Sequence, residues 1–374
     1  MKKGWEYKKL GEVCEIYQPT TIATSQLIPN GKYLVYGANG IIGRYNEYNH
    51  EEAEVLLCCR GATCGAINLS QPKSWINGNA MVVKPKTNEI IKNFLIYLLT
   101  SLDYTHIITG AAQPQITRKS LFPVSIGLPP LSEQKKIVEY LDSSFAKIDK
   151  LKENAAKNLE EAKALFQSAL KDALEPKEGW EEKTMQNVCE ILNGFAFPSA
   201  SFMNKGCLKV IKITNVGVGE FIEDNSRLSI EHQDNSAKVN ENDIVIALTR
   251  TIIADGLKKA RVPFSYDGAL LNQRVAALTP KKNVVENSFV YYYLGTAQVS
   301  KYVLSKVNTL MQPNLSIGDL KKMPIPLPSL PEQQSIVSFL DSLNEKVNTL
   351  QQNYSRICNE CDALKQAILR QVFE

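Results

Sequence analysis

The chain is written twice. Gly4-Trp5-Glu6-Tyr7-Lys8, followed by Val13-Cys14-Glu15-Ile16, recurs as Gly179-Trp180-Glu181-Glu182-Lys183, followed by Val188-Cys189-Glu190-Ile191, at a constant offset of 175. A repeat of this kind decides architecture before any single motif does. Each copy closes on a longer match: LPPLSEQKKIVEYLDSSFAKIDKL, from Leu128, aligns without gaps on LPSLPEQQSIVSFLDSLNEKVNTL, from Leu327, with 12 of 24 positions identical at an offset of 199. Upstream, Gln113-Pro114-Gln115-Ile116-Thr117 faces Gln312-Pro313-Asn314-Leu315-Ser316 at that same offset. The 24-residue difference between offsets places insertions in the middle of the second copy. Shared ends with divergent middles describe one frame carrying two different specificities.

The closing blocks read as the starts of long helices. Proline ends the extended chain at Pro129-Pro130, Ser132 stands in the capping place, and Glu133 puts an acid in the first turn. Pro328, Pro331 and Glu332 repeat the signal. In the second copy Leu343, Leu350, Ile357 and Leu364 fall seven apart, interleaved with Leu340, Val347, Tyr354, Cys361 and Ile368. That is a heptad seam. The first copy sets Ile148, Ala155, Ala162 and Ala169 seven apart, with Leu159, Phe166 and Ala173 beside them. Small residues there would let a bulkier helix lie close; the competing reading packs each stripe only on its own domain. Both helices run to roughly 44 residues without glycine or internal proline, far beyond the ordinary mean of about 12. At about 1.5 Å per residue each spans roughly 65 Å, close to two turns of B-DNA at about 34 Å. Because each copy runs domain then helix, a pseudo-two-fold makes the helices antiparallel and carries the domains to opposite ends. Glu175-Pro176-Lys177-Glu178-Gly179 ends the first helix.

The expected fold is therefore α/β (α+β): two domains in tandem, residues 1–127 and 175–326, joined by two long antiparallel helices, 128–174 and 327–374, that form a coiled coil. Within the domains, Tyr33 to Tyr36, Glu54 to Cys59, Ala80 to Lys84, Lys209 to Thr214, Asp243 to Thr249 and Arg274 to Thr279 read as strands. Ile90 to Leu102 and Ser288 to Ser305 read as helices. Tyr36-Gly37-Ala38-Asn39-Gly40-Ile41-Ile42-Gly43 is not G-x-G-x-x-G and reads as a glycine turn between strands. The sequence holds no G-x-x-x-x-G-K-[ST], G-x-S-x-G or H-E-x-x-H, and no Asn-Pro-Pro-aromatic tetrapeptide. Catalysis is expected elsewhere.

Charge adds a direction. Residues 1–127 hold 13 Lys+Arg against 9 Asp+Glu, 128–174 hold 8 against 8, 175–326 hold 18 against 16, and 327–374 hold 4 against 6. Positive charge sits on the domains, where phosphate would be met, and is absent from the helices, where protein would be met. Eight cysteines without framework spacing fit a reducing cytosol, and Cys358-x-x-Cys361 lies on the seam rather than in a metal cluster. His50, His106 and His232 read as solvated rather than as ligands. No apolar run reaches membrane length and the start lacks a signal peptide's apolar region, so a cytoplasmic protein with no membrane partner is expected.

Residues suited to reading DNA cluster beside turns. The first domain offers Arg44, Arg60, Lys73, Trp75, Asn77, Asn79 and Arg118; the second offers Arg250, Lys258, Lys259, Arg261, Asn272, Gln273 and Arg274. Arginine matches guanine with two prongs, Asn or Gln matches adenine, and lysine neutralises phosphate. An ordinary surface or capping role competes at each position. Trp75 also reads as core, and Asn79 and Asn272, at matching places before a strand, also read as turn residues.

The doubled P-x-L-x-E-Q-x-x-I-V-x-x-L-D-S block, its Gln-Pro-x-[IL]-[ST] lead-in and the Trp-Glu openings resemble the specificity subunits of type I restriction-modification systems. Arg60-Gly61-Ala62-Thr63-Cys64-Gly65, Gly78-Asn79-Ala80 and Leu271-Asn272-Gln273-Arg274-Val275 extend the likeness over essentially the whole chain. The resemblance implies two target recognition domains, each reading half of a bipartite double-stranded DNA sequence, with the helices as ruler for the spacer. It also implies two methyltransferase subunits docked on the helices, restriction subunits recruited through the complex, and S-adenosylmethionine, ATP and Mg on those partners, with no cofactor and no catalysis on this chain. A coiled-coil scaffold with protein-binding heads and a self-sufficient DNA methyltransferase are the alternatives.

Overall fold

The computed structural model describes residues 2, 4–110, 113–198, 202–203, 208–225, 227–228, 238–253, 256–306 and 314–374. His232, Gln312 and Pro313 lie outside the described residues. Contacts divide the chain into two compact units, Met1–Ala156 with Asn353–Glu374, and Lys157–Gln352. Both boundaries fall inside a long helix, so each unit owns one domain and half of each helix.

In the first unit a four-stranded antiparallel sheet runs Cys14–Tyr17, Ala80–Pro85, Val55–Cys58, Ile67–Leu69. Its interior strands are continuous apolar runs because both faces are covered: Val55, Leu56, Leu57 and Cys58 are all buried. The edge strand Cys14–Tyr17 alternates instead. The helix Lys92–Ser101 closes one face by burying Phe94, Leu95, Leu98 and Leu99 against Leu10, Val55, Leu57 and Met81. A second sheet pairs Tyr33–Gly37 antiparallel with Gly40–Tyr45 and parallel with Trp75–Ile76. The glycine turn at Ala38-Asn39 is thus a hairpin tip, with Gly40 at φ 101°, a conformation that side-chain-bearing residues avoid.

The second unit rebuilds the same sheet in the order Cys189–Asn193, Val275–Pro280, Ile244–Ala247, Lys259–Arg261. Leu208–Ile211 pairs parallel with Leu270–Leu271, as Tyr33–Gly37 does with Trp75–Ile76. Residue correspondences locate the insertions. Val35 answers to Val210 at offset 175, Val55 to Ile244 at 189, Trp75 to Leu270 at 195 and Arg118 to Ile317 at 199.

Two expected elements differ. The segment Ser288 to Ser305 is two helices, Asn287–Tyr293 and Ala297–Lys306, because Gly295 favours a break and the Thr296 hydroxyl accepts from Val299 N at 3.4 Å to start the second. The strand expected over Lys209 to Thr214 ends at Ile211, and Ile213–Asn215 turns as a 3-10 helix.

The long helices are Leu131–Leu174 and Leu330–Phe373, 44 residues each. Ser132 is not the cap. It lies inside the first turn, and the Pro130 carbonyl accepts from Glu133 N at 2.9 Å and Gln134 N at 3.0 Å. Within the first unit the helices run antiparallel: Asp149 pairs with Lys365 at 2.5 Å and Lys152, one turn on, with Asp362 at 2.9 Å, one turn back. Within the second unit Leu170 and Leu174 share a core with Ile336 and Leu340, and Phe166 packs against it.

Ile148, Leu159 and Leu340 are buried, and Ala155, Ala162, Phe166, Ala169, Leu343, Val347, Tyr354, Ile357 and Ile368 are part-buried on this seam. Leu350 and Leu364 are not: they are 38% and 48% exposed, while Cys358 and Lys365 turn inward in their stead. A straight α-helix drifts about 20° per heptad, so over five heptads the seam moves by roughly one residue position.

Candidate nucleic-acid interface

In each unit the same loops converge on one edge of the four-stranded sheet. In the first, Cys59 N donates to the Asn79 carbonyl at 3.4 Å and Ile116 N donates to the Cys59 carbonyl at 3.0 Å. Arg60 bridges Gln115, and the Gln18 side chain donates to the Gly78 carbonyl at 2.8 Å. In the second, Leu248 N donates to the Arg274 carbonyl at 2.8 Å and Leu315 N to the Leu248 carbonyl at 2.9 Å. Thr249 bridges Asn314, and Gln273 N donates to the Phe195 carbonyl at 2.8 Å. Two backbone hydrogen bonds and one bridge therefore recur at matching positions in both copies, while the Gln18 and Gln273 bonds are particular to each. A Cβ at Gly78 would stand 2.6 Å from the Pro19 carbonyl oxygen, so the close approach of two of these loops requires glycine there.

What projects from the frame differs. The first edge exposes Gln18, Arg60, Asn79 and Gln113; the second exposes Phe195, Arg250, Gln273, Arg274 and Asn314. Arg250 is held at φ 48°, an αL conformation for a side-chain-bearing residue. Of the predicted residues, the frame thus gathers Arg60 with Asn79, and Arg250 with Asn272, Gln273 and Arg274. Gln18, Phe195 and Asn314 join them. Their signal in the sequence is positional: each follows or sits in a shared anchor at the point where the copies cease to match.

The remaining candidates sit on other segments. Arg44, on the strand Gly40–Tyr45, is exposed and donates to the Gly31 carbonyl at 3.2 Å. Lys73, at φ 52°, pairs with Glu51 at 3.4 Å. Arg118 is exposed in the first turn of Arg118–Leu121, one step past the lead-in. Lys258 donates to the Ile213 carbonyl at 3.0 Å, and burial, with Arg250 nearby, lowers its pKa. Trp75 is part-buried, its indole donating to the Thr20 carbonyl at 3.2 Å.

Three predicted readers are spent inside the fold. Asn77 is 3% exposed and its amide is bound to Ile22 N at 3.0 Å and the Ile22 carbonyl at 3.3 Å. It, not Asn79, is the counterpart of Asn272, because Asn77 N bonds the Tyr36 carbonyl as Asn272 N bonds the Ile211 carbonyl, both at 2.9 Å. Lys259 is buried, donates to the Tyr291 carbonyl and sits 4.0 Å over the Tyr291 ring; burial pushes its pKa down to about 7. Arg261 is locked onto Asn287 at 2.7 Å and Ser288 at 2.9 Å. A sequence marks these as cations or amides but not which way the strand turns them. His50 also departs from expectation: it is buried, bound to Tyr17 at 2.9 Å and Asn49 at 2.6 Å, and burial lowers its pKa. His106 is exposed.

Among the described residues no group of three or more His, Cys, Asp or Glu is placed to hold a metal, and no helix is long and apolar enough to cross a membrane. Arginines and amides on a rigid β frame suit hydrogen bonding to base edges and phosphates.

Residues 2–161 and 177–357 each match the model of the type I restriction modification DNA specificity domain. The chain is 26% identical to the MjaVIII type I restriction enzyme specificity subunit of Methanocaldococcus jannaschii, over 92% of this chain and 87% of that one. It is 22% identical to the EcoBI specificity subunit of Escherichia coli, over 95% and 76%. A chain from the structure "Structural basis underlying complex assembly and conformational transition of the type I R-M system" superposes with a TM-score of 0.75 at 20% identity, covering 100% of this chain and 98% of that chain. The HsdS subunit of Thermoanaerobacter tengcongensis gives 0.54 at 20% identity, covering 100% and 97%. With the family's domain matched twice, on the two halves that the fold itself repeats, this chain belongs to the DNA specificity subunits of type I restriction-modification systems.

Proposed function

We propose that each convergent edge reads one half of a bipartite double-stranded DNA target, with Arg60 and Asn79 leading in the first domain and Arg250, Asn272, Gln273 and Arg274 in the second. Arg44, Lys73, Arg118 and Lys258 serve phosphate or structural contacts. Segments 1–127 and 175–326 act as target recognition domains, and segments 128–174 and 327–374 as the rod that sets the spacer. The rod docks two methyltransferase subunits, and restriction subunits join through that complex. This chain is non-catalytic and cytoplasmic in this reading; S-adenosylmethionine, ATP and Mg act on the partners.

One observation carries the reading: a frame whose central backbone bonds recur in both copies while different planar and cationic side chains project from it. Catalysis or scaffolding would not require a shared frame to present different base-reading side chains in each copy. The test is a gel shift of the chain with its methyltransferase partners on duplex DNA. Sequence-dependent binding that weakens steeply with salt is expected; binding indifferent to both sequence and salt would favour a protein-binding scaffold. Methylation by the purified chain alone would make it an enzyme.

A further inference from the structure

The doubled closing motif sits at the elbow where each domain meets its helix, and its residues bond the same partners in both copies. The Trp5 indole donates to Glu133 at 3.0 Å, and the Trp180 indole to Glu332 at 3.1 Å. Gln134, 0% exposed, accepts from Ile91 N at 2.9 Å and donates to the Glu89 and Pro129 carbonyls at 2.8 and 3.0 Å. Gln333, also 0% exposed, accepts from Glu286 N at 2.8 Å and donates to the Val284 and Pro328 carbonyls at 3.4 and 2.9 Å. Two turns further along each helix, Tyr97 donates to Asp142 and Tyr292 to Asp341, both at 2.5 Å.

Ile91 and Glu286 are the residues that open the domain's own short helix, so each glutamine ties the start of that helix to the start of the long one. A buried amide with all three bonds made cannot shift without orphaning polar atoms. The tyrosine bond, about 12 Å along the rod from the glutamine, supplies a second point of attachment. Two points stop the domain from swinging about the first.

We propose that Gln134 and Gln333, with the Trp5–Glu133, Trp180–Glu332, Tyr97–Asp142 and Tyr292–Asp341 pairs, are positioning residues that fix the angle of each reading edge on its helix. They thereby set how strictly the spacer length is enforced. This rests on the ruler reading above. A rod of fixed length measures distance only if its ends do not pivot; a loose elbow would accept DNA with one base pair more or fewer between half-sites.

The test uses the chain assembled with its methyltransferase subunits, on pooled duplexes whose half-sites are separated by the native spacer or by one base pair more or fewer. Two double variants are compared with the unaltered complex: Tyr97→Phe with Tyr292→Phe, which removes one hydroxyl per elbow, and Gln134→Met with Gln333→Met. The preference for the native spacer should fall about threefold or more, since specificity is a difference of affinities and the rejected spacers gain, while the half-site sequences stay unchanged. An unchanged preference, or an equal loss of methylation at all three spacers, overturns the proposal. If the methionine variant does not fold, the phenylalanine variant decides. A heptad deletion in an otherwise unaltered chain separates the two ideas: if it leaves the preferred spacer in place, the ruler itself fails, whatever the elbow variants do.

Discussion

Removing residues 153–159 and 352–358, which correspond in the repeat, takes one heptad from the middle of each long helix. Seven residues keep the seam in phase, so Ala162 moves into the place of Ala155 and Cys361 into that of Tyr354. At about 1.5 Å per residue the rod loses roughly 10 Å. At about 3.4 Å per base pair that is roughly three base pairs of spacer. The helices rotate by only about 20°, whereas three base pairs turn the duplex by roughly 100°, at about 10.5 base pairs per turn. The shortened complex should therefore prefer a spacer about three base pairs shorter and bind it more weakly than the parent binds its own, because the twist is imperfectly matched. Methylation of a spacer-scanning library, read by sequencing modified bases, reports both quantities. Unchanged half-sites with a shorter spacer are expected. Altered half-sites, or an unchanged spacer with methylation retained, would refute the reasoning that the helices act as a ruler.

Other consequences can be checked separately. Arg60→Ala should relax one half-site and Arg274→Ala the other, each by about 1–3 kcal/mol of discrimination, measured as competition between matched and mismatched duplexes. Asn77→Ala should destabilise the first unit by roughly 1–3 kcal/mol by orphaning Ile22 N and its carbonyl, seen as a lower denaturation midpoint with half-site preference intact. Lys259→Met should flatten a pH dependence. The folded lysine sits near 7 against an ordinary 10.5, so the unfolded chain binds more protons and stability rises with pH between those values. At about 1.4 kcal/mol per tenfold the ceiling is roughly 5 kcal/mol, reduced by the Tyr291 carbonyl and ring contacts that the ammonium keeps. A melting series from pH 6.5 to 10 on both chains reads it, and an equal slope in both would sink the assignment. Leu340→Ala, at a site with no exposed surface, should cost about 2–5 kcal/mol of stability in the second unit.

Periodicity and repetition made the frame readable. Helix length and the seam follow from a spacing of seven, strand positions from short β-branched and apolar runs, and the architecture from anchors that occur twice. Where sequence reasoning missed, it lacked the third dimension. Asn79 and Asn272 both precede a strand in the sequence, yet the backbone bonds pair Asn272 with Asn77, which is buried. Lys259 and Arg261 looked like readers because they are cationic, yet an edge strand turns them onto Tyr291, Asn287 and Ser288. Leu350 and Leu364 kept strict heptad spacing while a 3.6-residue turn carried the seam past them. In sequence the elbow is only a motif; its glutamines reach the domain's own helix start through the fold.

In the proposed function, two edges on one frame read two half-sites at a fixed separation. Mapping modified bases across DNA methylated by the assembled complex tests it most directly. The expected result is a single asymmetric target of two short specified blocks flanking an unspecified spacer of one length. One continuous block, or two blocks at scattered separations, would contradict it.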